Sequence, residues 1–207
     1  SSHPPRLGPP PWPMDTLAAG SQAEWRCEAP LYGGAVVCDV PGSFADASQV
    51  REVPDHQEVW VDDASDRSLI VEILERKEDV PDDQVLAFML SDLAAFNEAR
   101  DASLLSSRPA LAAEELPFLP ADARCFVGLG EQIVAKFNEA CTNRVRIYAC
   151  LIRLAAQRTD ILVTLNDPVA IDPQSSSRGL PVLQGSEEAF ARILRSFRIV
   201  DWDLFGS

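Results

Sequence analysis

Six short apolar runs separated by polar punctuation limit what this chain can become more than any other feature. Residues 33–40 (GGAVVCDV) read as a strand halted by Pro41 and Gly42. Residues 58–61 form a short strand that puts Val59 and Val61 on one face and Glu58 and Trp60 on the other. In residues 68–75 (SLIVEILE), Ile70, Glu72 and Leu74 share one face while Leu69, Val71 and Ile73 share the other. Residues 124–136, 144–154 and 159–166 are three further strands; the last two are joined by a hairpin-length connection, and Asp167-Pro168 ends that hairpin. Two segments carry a helical period instead. Over residues 82–100, Val85, Phe88, Met89, Leu93 and Phe96 form an apolar stripe. From Ser186 a second helix opens on an N-cap with acids in its first turn, and Phe190, Ile193, Leu194 and Phe197 line its core face. Residues 101–121 and 172–185 read as surface loops, and Asp46 caps a single helical turn. The sum is α+β: a single domain with an antiparallel sheet and helices packed on it.

The start of the chain differs. Six of the 16 prolines fall between Pro4 and Pro13, where fixed φ and missing N–H groups disfavour helix and ladder alike. Residues 1–30 are expected to be a proline-rich, flexible leader, and residues 31–207 the domain. Eighteen Lys and Arg against 32 Asp and Glu leave a net charge of −14. A surface that acidic repels phosphate backbones and anionic lipid, so it argues against nucleic acid and membrane and for a basic protein partner. No apolar stretch approaches the ~20 residues of a spanning helix, and no secretory signal opens the chain. Five cysteines without a CxxC pair read as reduced thiols of a nuclear and cytoplasmic protein. A monomer is expected.

Chemistry is poorly supplied. His3 and His56 are the two imidazoles and there is no GxSxG elbow, so a hydrolase would need a dispersed site around His56. No Cys or His pair has zinc-ligand spacing, no P-loop lysine motif is present, and Gly128-Leu-Gly130 reads as a bulge in a strand. No catalytic residue, cofactor or metal is expected. Charge placement is the departure from background: residues 52–83 hold 12 acids against 3 bases, a net of −9. One reading is a solvated face; the other is a docking surface for a basic protein. Within the run, Asp55 and Glu58 lie three apart where Pro54 leads a loop into a strand. Trp60 lies on Glu58's face, either as an interface anchor or as a plain core aromatic.

Several stretches occur in a telling order: Leu31-Tyr-Gly-Gly-Ala35, Asp46-Ala-Ser48, the Val-Pro-Asp-x-Gln-Glu-Val motif ending at Val59, and residues 68–75. Leu151-Ile-Arg-Leu154, residues 159–164 and Asp203-Leu-Phe205 follow. Together they resemble the Ran guanine-nucleotide release factors, the Mog-type nuclear import factors. The resemblance implies an antiparallel sheet sandwiched between helices, as in the PsbP extrinsic proteins of photosystem II. It also implies binding to the small GTPase Ran with release of its nucleotide, in nucleus and cytoplasm. The family's acidic binding residues carry over to Asp55 and Glu58, with Asp46 a further candidate; Trp60 is added from its position beside Glu58. A PsbP-like structural or assembly protein of a photosynthetic compartment is the alternative that the same fold allows.

Overall fold

The computed structural model describes residues 24–136 and 139–206. In chain order the strands are β1 (Trp25–Leu31), β2 (Val36–Pro41), β3 (Ala45–Asp46), β4 (Gln57–Asp62) and β5 (Arg67–Glu75). Helix α1 (Asp82–Phe96), β6 (Asp101–Pro109), the short α2 (Ala112–Glu115), β7 (Arg124–Val134), β8 (Asn143–Leu154) and β9 (Thr159–Ala170) follow. Helix α3 (Ser186–Ser196), β10 (Arg198–Ile199) and a 3-10 turn over Trp202–Phe205 complete the fold. Seven strands form one antiparallel sheet in the order β3-β4-β5-β9-β8-β7-β6, and a second sheet has the order β1-β2-β10.

Both faces of the large sheet are covered, and the two-faced apolar pattern of residues 68–75 is the reason. Leu69 and Val71 join a core with β1, β2, Tyr148, Cys150, Ile152 and the α3 residues Phe190, Ile193, Leu194 and Phe197. Leu74 turns to the other face, where α1 packs Val85, Leu86, Met89 and Leu90 onto Phe126, Ile147, Ala149, Leu151 and Leu162. The expected sandwich of helices around an antiparallel sheet is the observed one, with the small sheet sharing the α3 side.

Six expectations change. Phe88 and Phe96 are 40% and 84% exposed; the buried stripe of α1 is turned toward Leu86 and Leu90. A cause lies beneath the helix at Gly128, where an added Cβ would come within 2.9 Å of Leu86 and 2.7 Å of the Ser106 carbonyl. The bare glycine lets Leu86 sink onto the sheet. The helix stops at Phe96 because Glu98 takes a left-handed φ of 49°. Residues 101–109 are not loop but an edge strand, paired with β7 on one side. Its residues are nearly all exposed, so no two-residue alternation marked it. The bulge in this hairpin lies between Leu104 and Ser106 of β6, opposite the glycines rather than at them. β9 continues through Pro168 to Ala170; its pairing to β5 starts at Asn166, so the proline's missing N–H faces an open edge. Finally, residues 25–30 belong to β1, while the proline-rich stretch of residues 4–13 lies outside the described residues.

Two polar knots fix the ends of the sandwich. Arg153, 1% exposed, donates to Asp160 (3.0 Å), to Asp82 (2.5 Å) and to the carbonyls of Lys77 (2.5 Å) and Val80 (3.2 Å). It thereby ties the segment leading into α1 to β8 and β9. At the opposite end the 172–185 loop is docked by its serines. Ser175 donates to Glu139 (2.9 Å) and accepts from Asn143 (3.1 Å), while Ser177 donates to Asp66 (2.7 Å). Bonds from Ser176, helped by Ser175, hold the Glu139 carboxyl down at about 2.

Candidate functional site

The corner of the large sheet formed by β3, β4 and the loop before β4 carries the acids singled out by sequence. Asp46 stands opposite Trp60 in the β3–β4 ladder, so Asp46, Trp60 and Glu58 share one face. Asp46 also caps the following 3-10 turn, accepting from the Ser48 N–H at 2.8 Å. Asp55 lies in the exposed turn that the Gln57 N–H closes onto the Pro54 carbonyl (2.8 Å), just ahead of β4. Glu58, the second residue of β4, is half-buried.

Glu58 is fixed from the neighbouring sheet. The backbone N–H of Tyr32 donates to its Oε1 at 2.5 Å. Tyr32 is itself pinned, because its hydroxyl lies 2.7 Å from the Val71 carbonyl and 3.0 Å from that of His56. The tyrosine holds this position with a φ of 50°, followed by Gly33 at 66° and Gly34 at 96°. Three left-handed residues in a row explain the double glycine, and the tyrosine's own left-handed φ costs about 1–2 kcal/mol. Burial pushes the Glu58 carboxyl above its ordinary range; the Tyr32 amide works against that shift and the Asp46 carboxylate adds to it. Burial also raises the Tyr32 hydroxyl, with Glu58 and Glu72 acting in the same direction, so this phenol stays protonated and donates.

The acidic run divides into acids already matched within the protein and acids left over. Asp62 closes a turn with Ser65 (2.6 Å) and Arg67 (3.4 Å), and Asp66 pairs with Lys136 at 2.8 Å. Glu72 accepts from Gln57 (2.7 Å), Glu78 pairs with Arg76 (3.1 Å), and Asp82 is shared among Arg76, Arg124 and Arg153. Among the described residues, no Lys or Arg lies within ion-pair distance of Asp46, Asp55 or Glu58. Glu52, Asp63, Glu75, Asp79 and Asp83 are likewise without an ion pair among the described residues; Asp46, Asp55 and Glu58 differ in gathering at one corner of the sheet, around a carboxylate held in place.

Trp60 is placed differently from a surface anchor. It is 3% exposed and packed in the α3-side core, with the Arg26 guanidinium 5.1 Å above its ring, so it supports the corner from below. Tyr32 is the residue that reading the sequence missed. The signal was the glycine pair after it, which marks a turn of unusual backbone, but nothing local says that its amide meets a carboxylate 26 residues away. Among the described residues there is no group of three or more His, Cys, Asp or Glu able to hold a metal, and no helix long and apolar enough to cross a membrane.

These features define an α+β sandwich whose distinguishing surface is an uncompensated acidic corner, braced by a tyrosine turn from a second sheet. The chain belongs to the Mog1 family: residues 29–168 match the family described as Ran-interacting Mog1 protein. It is 35% identical over 185 residues to the probable Ran guanine nucleotide release factor of Dictyostelium discoideum, covering 84% of this chain and 94% of that one. The Ran guanine nucleotide release factor of Danio rerio is also 35% identical, over 183 residues, 86% of this chain and 98% of that one. The crystal structure of the Saccharomyces cerevisiae Ran-binding protein Mog1p superposes with a TM-score of 0.62 at 28% identity, over 86% of this chain and 97% of that chain. The family expected from the ordered motifs is therefore the family found.

Proposed function

We propose that this protein binds Ran and promotes release of its guanine nucleotide, acting in nucleocytoplasmic transport as a regulatory protein without covalent chemistry of its own. Relatives named Ran guanine nucleotide release factor and a yeast relative named nuclear import protein support the reading. The observation that carries it is the uncompensated set Asp46, Asp55 and Glu58, with Glu58 immobilised by Tyr32. A GTPase holds its nucleotide through a lysine, backbone amides and Mg²⁺ on the phosphates. A carboxylate held rigidly and partly desolvated competes for such positive groups far better than a mobile surface acid, whose ion pairs are worth only about 0–1 kcal/mol. The Asp55 and Glu58 carboxylates meet basic groups of Ran, and Asp46 adds to the same field.

The test is release of labelled nucleotide from Ran, alongside a binding measurement. Charge reversal at Glu58 would bury a lysine and strip the Tyr32 amide of its acceptor, so the informative variant is Asp55→Lys with Glu58→Gln. It should stay folded and weaken Ran binding more than tenfold, since truncating one side of a desolvated charge pair costs about 2–5 kcal/mol. Glu78→Lys with Asp79→Lys, in the same acidic run but away from the corner, should do far less. Equal losses in the two double variants would mean general electrostatic steering, and an unchanged release rate in the first would end the assignment of this corner.

A further inference from the structure

A stable protein interface buries about 800 Å² per partner, drawn from some 20–30 residues a side, with an apolar centre inside a polar rim. Asp46, Asp55 and Glu58 supply only part of a rim. An apolar centre lies on the surface continuous with them. Beyond Tyr32, an added Cβ at Gly33 or Gly34 would meet nothing within 4 Å, so this turn presents bare backbone outward. The Ala35 carbonyl then accepts N–H bonds from both Val200 (2.8 Å) and Asp201 (3.1 Å), which seats the C-terminal turn against the Tyr32 turn. Val200 and Trp202 are 56% and 37% exposed there. Beside Trp202 an open hollow of about 270 Å³ is walled mainly by Pro120, Ala123, Leu154, Ala155 and Ala156, with Asp122 and Gln157 supplying its polar lining. It lies at the same end of the sheet as the acids. The Arg158 carbonyl of the β8–β9 turn accepts from Arg76 just past the end of β5 (3.0 Å), and the Ile73 N–H of that same strand end bonds to the His56 carbonyl (2.9 Å).

We propose that the hollow beside Trp202 is the apolar half of the docking surface and receives an apolar side chain that Ran presents next to the basic groups meeting Asp55 and Glu58. This rests on the Ran-binding reading above. The acids set the approach and orientation of the partner, and the Trp202 hollow holds it once docked. The two halves therefore differ in kinetic signature: charged rims act mainly on association, whereas buried aromatic anchors act on dissociation.

The test uses the full chain and purified Ran. Trp202→Ala should raise the dissociation rate at least tenfold while leaving the association rate and its salt dependence nearly unchanged. Ala156→Trp, at an exposed turn position, fills the hollow without removing any core contact and should weaken binding to a similar extent, so a folding defect in the first variant cannot decide the matter. Phe96→Ala, which removes a still more exposed aromatic from the far side of the sheet, should change nothing. If the native protein binds Ran and the Asp55/Glu58 variant weakens it, yet both hollow variants bind like the native protein, this proposal falls and the acidic site stands. If the native protein does not bind Ran at all, both fall. If Trp202→Ala leaves Ran affinity intact but shifts sedimentation from dimer to monomer, the hollow serves contact between copies and the proposal is overturned.

Discussion

The Tyr32 amide and the Glu58 carboxylate meet across two different sheets, at 2.5 Å. The contact turns an acid near the start of a strand into a group with a fixed direction. Its rigidity depends on the tyrosine hydroxyl, which anchors the turn to the Val71 and His56 carbonyls. Tyr32→Phe keeps the amide and the ring but loses the anchor. It should cost on the order of 1 kcal/mol in chemical denaturation and lower the rate of nucleotide release from Ran. An unchanged denaturation midpoint would show that the hydroxyl bonds do not form in solution.

The acid range offers a second check. The Glu58 carboxyl is raised above its ordinary value of 4.5 by burial. An acid with a raised folded-state value stabilises the fold fully below its unfolded value, and that contribution is lost as pH rises through the folded value. Binding a basic partner needs the anion and so runs the other way, strengthening as pH rises over the same window. Ran affinity measured from mildly acidic to neutral pH should therefore weaken on acidification sooner than an ordinary glutamate would allow. Glu58→Gln should lose this part of the pH dependence and unfold no more easily at neutral pH. Superimposable affinity profiles for the two proteins would exclude Glu58 as the titrating contact.

The knot around Arg153 makes a stability prediction. With Asp160 fully buried beside it, Asp160→Ala leaves a guanidinium short of its buried partner and should cost about 3–5 kcal/mol by urea unfolding. Replacing Arg153 and Asp160 together by apolar residues should cost clearly less than that single change. A loss below 1 kcal/mol for Asp160→Ala would mean that Asp82 and the two carbonyls suffice.

Arg153 also shows where local sequence stops being informative. Residues 144–154 read correctly as a strand, yet nothing in Leu151-Ile-Arg-Leu154 says that the arginine is buried. Its partners Lys77, Val80 and Asp82 are more than 70 residues away. The same holds for β6, whose exposed serines and leucines have no alternation because the strand sits at an edge with little of it covered. The helix stripe at Phe190, Ile193, Leu194 and Phe197 was legible because one face alone is buried. On α1, a glycine on the strand below selected Leu86 over Phe88. Asp46, Asp55 and Glu58 could be singled out from charge and motif; which acids were already matched, and the burial of Trp60, depended on the fold.

Phe197 closes the α3-side core with no exposed surface. Phe197→Ala should cost about 3–5 kcal/mol in reversible unfolding. A loss under 1 kcal/mol would make the C-terminal helix peripheral to the core described above.

All five cysteines are unpaired. Burial pushes the thiols of Cys38 and Cys125 up to about 12 and raises Cys150 well above its ordinary value. A thiol-reactive probe at mildly alkaline pH should label Cys27, which is exposed, well before those three, which should react only with unfolding. Rapid labelling of Cys38 in the native protein would contradict the packing of β2 against α3.

The small sheet carries a consequence for how the protein matures. Its central strand β2 needs β1 on one side and β10 on the other. The first partner directly precedes β2 in the chain; the second follows only after the whole large sheet has been made. Until then one edge of β2 is open and Ala35 lacks the two N–H bonds that steady the Tyr32 turn. Synthesis runs from the N-terminus, so the two bonds that Val200 and Asp201 give to Ala35 come last, after every residue of the Tyr32–Glu58 contact has been made. A chain ending before residue 198 would keep α3 and the residues of the Tyr32–Glu58 contact yet lack the last support of the Tyr32 turn, so the final few residues steady a surface whose residues were made long before them.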